Sequence, residues 1–173
     1  SFRIDPLNIA VRKAWAAGLL VVASAGNRGR DGSFTINAPG NDPLVLTVGG
    51  IGQTGQPSTF SMSGPWVDAA APAENITALG YDGNPVNALN GADGPIPIAG
   101  TSFAAAYVSG LAALLKQRFP DLTAAQIMNR ITATARHPGG GVDNYVGAGV
   151  VDPVAALTWD VPDGPPVAPY RVK

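Results

Sequence analysis

The strongest constraint on the fold lies near the start of the chain, where a complete helix signal runs through a glycine straight into a valine-rich run. Asp5 followed by Pro6 reads as an N-cap with proline at the first helical position. Leu7, Val11, Ala14 and Trp15 recur at helical spacing, and Gly18 suits a left-handed cap. Residues 19–23 then form a continuous apolar run, the pattern of a parallel strand covered on both faces. Similar runs return at 44–48 and 66–71. Residues 102–115 read as a helix of alanine and leucine, small enough to lie close on a sheet. Its length and the flanking Lys116 and Arg118 argue against a membrane span. Thr123 with Gln126 forms a capping box for a helix over 124–135, and Asp152-Pro153 repeats the cap-then-proline signal. Strands alternating with helices predict an α/β fold with a mostly parallel sheet and helices on both faces. From residue 160 the prolines at 162, 165, 166 and 169 predict a linker or extended tail, so the expected division is 1–159 and 160–173.

Composition removes several kinds of function. Eleven basic and 12 acidic residues give a net charge of −1, with no basic stripe, which leaves no electrostatic case for nucleic acid. There is no cysteine, hence no disulfide, thiolate nucleophile or cysteine-bound zinc. The 82–93 stretch is rich in Gly and Asn and reads as a surface excursion; its carboxylates lack the spacing of a calcium loop. The opening Ser1-Phe2-Arg3-Ile4-Asp5 is not a signal peptide, and the chain reads as a piece of a longer one.

Two segments fall where strands of an open α/β sheet end, the place where such folds bind ligands. In Gly100-Thr101-Ser102-Phe103-Ala104-Ala105-Ala106, a serine opens a helix, where free N–H groups and the positive dipole end favour a developing anion. Gly-Thr-Ser alone reads first as an ordinary N-cap. In Val21-Val22-Ala23-Ser24-Ala25-Gly26-Asn27, a strand runs out into Gly-Asn, which alone is also common turn chemistry.

Taken together, the string 100–110 and the segment 21–27 resemble the subtilase family of serine proteases. The serine signature departs from that family only at Ala106, where proline is usual. The resemblance covers roughly residues 5–158, the later half of a catalytic domain. It implies that Ser102 is the nucleophile, that the Asn27 side-chain amide and the Ser102 backbone N–H hold the oxyanion, and that Ser24, Ala25 and Gly26, with Thr101 beside them, contact the substrate. It also implies a cis bond at Ala38-Pro39, against an ordinary frequency of about 5–6% for such bonds.

A serine nucleophile needs a base and a carboxylate to orient that base. The single histidine, His137, sits in Ala135-Arg136-His137-Pro138 and matches no part of the family's histidine motif; it reads as a surface residue near a helix C-terminus. No Asp-Ser-Gly or Asp-Thr-Gly is present. The resemblance therefore implies a partner, an N-terminal half carrying the Asp and His, and a peptide or protein substrate. No cofactor or metal site is implied, although some subtilases hold structural calcium through backbone carbonyls. The rival reading is a catalytically inactive module of the same architecture.

Segments 56–61, 64–72, 131–136 and 147–160 resemble mycosins, the subtilases of mycobacterial type VII secretion. That resemblance implies an exported protein, extracellular or in the cell envelope, with a membrane anchor beyond residue 173 as one way of holding it there. The chain departs from mycosins in having no cysteine and a short 28–41 segment where they carry an insertion.

Overall fold

The computed structural model describes residues 5–29 and 38–166. Helix α1 (Pro6–Ala16) begins where Asp5 accepts from the N–H groups of Leu7 and Asn8. It ends as Gly18, at φ 84°, lets its own N–H reach Trp15 O and the Leu19 N–H reach Ala14 O. That paired closure is the glycine-dependent helix stop the sequence signals. The chain turns directly into β1 (Val21–Ser24), followed by β2 (Val45–Ile51) and β3 (Ala69–Pro72). The three form one parallel sheet in that order, with Val21 opposite Val45 and Val48 opposite Ala69.

Strand β2 is buried along its whole length, which is why it reads as an unbroken apolar run. On one face, Leu46 and Val48 join Ala104, Val108, Leu111 and Leu115 of α2 (Thr101–Arg118) in the main core. Those α2 residues are spaced so that one helical stripe meets the sheet, and each fully buried aliphatic contributes about 1.5–3 kcal/mol. On the other face, the Thr47 hydroxyl donates to Gly40 O, and a Cβ on Gly49 would lie 2.8 Å from Tyr145 O. Loops therefore close that side. The expected α/β architecture with a parallel sheet and packed helices is what forms, and the Ala38–Pro39 bond is cis.

The stretch expected to be a plain surface excursion is more regular than that. It holds two short antiparallel hairpins, β4 (Ala78–Leu79) with β5 (Pro85–Val86), and β6 (Ala88–Gly91) with β7 (Gly94–Pro97). Strands of two to four residues interrupted by proline leave no alternating pattern to read.

Helix α3 (Ala124–Ala133) starts at the complete Thr123–Gln126 capping box, and α4 (Pro153–Thr158) at the Asp152 cap. Buried Arg130 of α3 donates through Nε to Ala156 O at 2.6 Å and through its terminal nitrogens to Trp159 O and Val161 O. Its guanidinium also lies 4.1 Å over the Phe119 ring. Further along the same helix, Asn129 donates to Pro162 O, Gln126 to Gly164 O and Thr123 to Pro166 O. The first part of the proline-rich tail is thus strapped to α3 by side chains that read only its main-chain carbonyls.

Candidate active site

The end of β1 and the start of α2 meet at one place. Helix α2 is capped by Gly100, whose φ of 149° favours glycine and whose backbone makes no side-chain cap bond. Ser102 is therefore not the N-cap; it stands one residue inside the helix, exposed to solvent. Its backbone N–H belongs to the first turn, where helix donors have no intrahelical acceptor. The first turn carries no acidic residue, and Lys116 and Arg118 occupy the last turn. The positive end of the helix dipole is left uncompensated at Ser102.

Asn27 is held against this helix start by its acceptor side alone. Its Oδ1 accepts from the Thr101 N–H at 2.9 Å and from the Thr101 hydroxyl at 2.8 Å. The Thr101 hydroxyl oxygen in turn accepts from the Gly26 N–H at 3.2 Å. An amide whose oxygen is fixed this way has its nitrogen turned outward, and Asn27 Nδ2 makes no hydrogen bond among the described residues. A Cβ on Gly100 would lie 3.5 Å from that nitrogen, which places it beside the residue preceding Thr101-Ser102. The Ser102 region and Asn27, 75 residues apart in sequence, thus form one corner of the molecule.

Two glycines and a threonine make the corner possible. Gly26 turns the chain at φ 112°, and its carbonyl accepts from the Met62 N–H at 3.0 Å. Gly50, in β2, lacks the Cβ that would stand 2.6 Å from Ala73 Cβ and 3.3 Å from Thr101 Cγ2. The helix start can therefore rest directly on the strand. Thr101 itself is completely buried, with both polar atoms engaged. Expected among the substrate contacts, Thr101 commits its hydroxyl to Asn27 and Gly26, which holds Asn27 in place. The signal for that role was faint, a threonine between glycine and serine. Ser24 and Gly26 are half-buried along the exit of β1, with Ala25 buried against Trp66 and Val67.

His137 is not the free surface residue its sequence context suggests. Its side chain is only 11% exposed. Nδ1 accepts from the Gly139 N–H at 3.1 Å, and Nε2 lies 3.2 Å from Asp143 Oδ2. The other oxygen of Asp143 accepts from the N–H groups of Tyr145 and Val146. Partial burial pushes the Asp143 carboxyl up, but those N–H groups and the neighbouring histidine outweigh it and hold it below its ordinary value. The pair closes the 137–147 loop and shares no partner with Ser102. Among the described residues, no group of three His, Asp or Glu side chains is placed to hold a metal.

The fold thus brings an exposed serine at a helix N-terminus and an outward-facing carboxamide to one corner of the molecule. A profile of the Subtilase family matches residues 3–149, and the chain belongs to that family. It is 63% identical to mycosin-1 of Mycolicibacterium smegmatis over an alignment of 194 positions, covering 99% of this chain and 43% of the relative. That alignment is longer than the 173-residue chain, so the relative carries residues with no counterpart here. Subtilisin DY of Bacillus licheniformis is 36% identical over 151 residues, covering 87% of this chain and 51% of the relative. Among solved structures, MycP1 from Mycobacterium smegmatis superposes with a TM-score of 0.84 at 64% identity, over 95% of this chain and 48% of that one. A chain in an intact ESX-5 inner membrane complex superposes at 0.76 with 43% identity, over 95% of this chain and 43% of that one. The chain spans about half or less of the length of these relatives.

Proposed function

We propose that this chain is the serine-bearing portion of a mycosin-like endopeptidase whose acid and base lie on polypeptide upstream of it. Ser102 Oγ attacks the scissile carbonyl carbon and passes its proton to that base. The carbonyl oxygen becomes an oxyanion held by Asn27 Nδ2 and the Ser102 N–H. The C–N bond then breaks, the amine leaves with the proton returned by the base, and water hydrolyses the Ser102 ester. Ser24, Ala25 and Gly26 bind the acyl side of the substrate, and Thr101 positions Asn27. Residues 1–159 supply the domain portion and 160–173 the proline-rich tail or linker. A cell-envelope location follows by analogy with the relative found in an ESX-5 inner membrane complex.

The observation that carries this reading is the Asn27 amide, anchored through its oxygen so that its donor is free at the N-terminus of the Ser102 helix. The rival, a catalytically silent member of the family, draws on the commitment of the sole histidine to Asp143. A fluorophosphonate probe on the full-length protein decides between them. We expect a single adduct at Ser102, lost in Ser102→Ala. Absence of the adduct from properly folded full-length protein selects the silent reading.

A further inference from the structure

The 137–147 loop carries a histidine whose hydrogen bonds depend on its charge. His137 Nδ1 accepts from the Gly139 N–H at 3.1 Å, so the neutral ring carries its proton on Nε2. Nε2 is buried and lies 3.2 Å from Asp143 Oδ2 without completing a hydrogen bond to it. Protonation adds a second proton at Nδ1, which then faces the Gly139 N–H donor to donor. That bond is lost, while the attraction of the ring for the Asp143 carboxylate grows. The ring thus has two arrangements, one tied to Gly139 and one drawn to Asp143. Gly140 and Gly141, at φ 71° and 99°, have open space where a Cβ would stand, so the turn is free to follow either.

Asp143 is the charged group at the ring. Arg136 and Asp152 are occupied with each other at 3.1 Å, Asp68 Oδ2 accepts from the Thr47 N–H, and the Tyr145 side chain is exposed.

Asp143 also organises the rest of the loop. Its Oδ1 accepts from the N–H groups of Tyr145 and Val146 at 2.7 and 2.8 Å. The Asn144 carbonyl accepts from the Gly64 N–H at 2.7 Å. The Trp66 ring occupies the place of a Gly64 side chain, 2.2 Å from where its Cβ would stand. Trp66 is in turn buried together with Ala25 and Val67. A displacement of Asp143 therefore reaches Ala25 through Asn144, Gly64 and Trp66, because close-packed neighbours transmit strain.

We propose that His137 is a pH-operated latch on the wall formed by Ser24, Ala25 and Gly26. With the ring neutral, the loop supports Ala25 through Trp66; with the ring charged, that support loosens and substrate binds more weakly. This rests on 24–26 being the acyl-side wall, and the test separates the two.

The test uses the full-length protein and His137→Asn, which stays neutral while its Oδ1 can still accept from the Gly139 N–H. Amide hydrogen exchange at Gly64 and Gly139, referred to the intrinsic rate at each pH, reads the latch. KM and kcat for a peptide substrate read the wall. Between about pH 8 and pH 5, the span over which histidine titrates, wild type should lose protection at both amides. The loss should be about tenfold, the weight of one hydrogen bond, and KM should rise several-fold. In His137→Asn, protection and KM should both stay flat, while kcat follows the same profile in the two proteins. Trp66→Phe should keep the pH-dependent exchange and lose the pH-dependent KM. If His137→Asn fails to fold, Asp143→Asn replaces it; that variant keeps Oδ1 for Tyr145 and Val146 but not the charge. It should retain the pH dependence at Gly139 and lose it at Gly64. Exchange at Gly64 with the wild-type pH dependence in either variant overturns the latch. Histidine-dependent exchange with superimposed KM profiles overturns its link to the wall, and with it the proposal. Absence of a Ser102 adduct beside histidine-dependent exchange overturns the protease reading and leaves the latch standing.

Discussion

Arg130 is a charged side chain, only 5% exposed, with no carboxylate partner among the described residues. It is held by main-chain carbonyls at the end of α4 and in the tail, and by the Phe119 ring. Arg130→Ala removes two close hydrogen bonds to a charged donor at about 1.5 kcal/mol each and a cation–π contact of about 1 kcal/mol. It also returns a desolvated guanidinium's penalty of about 1 kcal/mol, so the net loss works out near 3 kcal/mol. At about 2–4 °C per kcal/mol for a domain of this size or larger, the melting temperature of the full-length protein should fall by about 6–12 °C. Arg130→Lys keeps the charge but not the planar fork and should fall between. Freed from α3, the tail should also be nicked by chymotrypsin at Trp159 well below the melting temperature. A variant within about 0.5 kcal/mol of wild type, the usual range for a surface substitution, refutes the strap as an energetic element.

Other substitutions probe the corner and the loop. Thr101→Val deletes the hydroxyl that bonds both Asn27 and Gly26. It should cost about 1–2 kcal/mol of stability, and kcat should fall about tenfold with KM nearly unchanged. Gly50→Ala pushes a methyl against Ala73 and Thr101, so it should destabilise by about 1–3 kcal/mol and lower turnover together. Asp143 has a depressed carboxyl pKa, so its contribution to stability is full above its ordinary value of 3.8 and is lost as pH falls through the depressed one. Melting curves between pH 2 and pH 5 should therefore show a steeper acid loss for wild type than for Asp143→Asn, with parallel curves counting against the assignment.

How much of this the sequence carried depends on how local each signal is. The Asp5 cap, the Gly18 stop, the Thr123 box and the valine runs are read within a few residues, and each forms where its pattern lies. The nearness of Asn27 to Ser102 could be reached only through family resemblance, because nothing within either segment records a contact 74 residues long. Thr101 and Gly50 escaped for the same reason: their roles exist only once β2 lies under α2. His137 misled because a histidine before Pro-Gly-Gly reads as exposed, and only the fold brings Asp143 to its ring. The hairpins 78–97 were lost to proline and short strands.

The anchoring of Asn27 permits a substitution that separates its structural duty from its chemical one. Asn27→Asp keeps an oxygen for the Thr101 N–H and hydroxyl, and places a negative charge at a helix N-terminus, where it is favourable by about 0.3–1 kcal/mol. The variant should fold at least as stably as wild type. Its second carboxylate oxygen, however, replaces the outward N–H donor and faces the site of the developing oxyanion. Loss of one such donor costs about 10²–10³ in kcat, a figure measured on subtilisin, itself a member of this family. Two like charges about 4 Å apart at a protein surface add repulsion of up to about 4 kcal/mol. Asn27→Ala should therefore lose both some stability and the donor, whereas Asn27→Asp should be the more stable of the two and the slower by a further factor of about ten or more. The comparison needs only melting curves and kcat for the two variants in the full-length protein. An Asn27→Asp enzyme at least as fast as Asn27→Ala would mean that the amide nitrogen does not face the reacting carbonyl, and the oxyanion role of Asn27 would have to be abandoned.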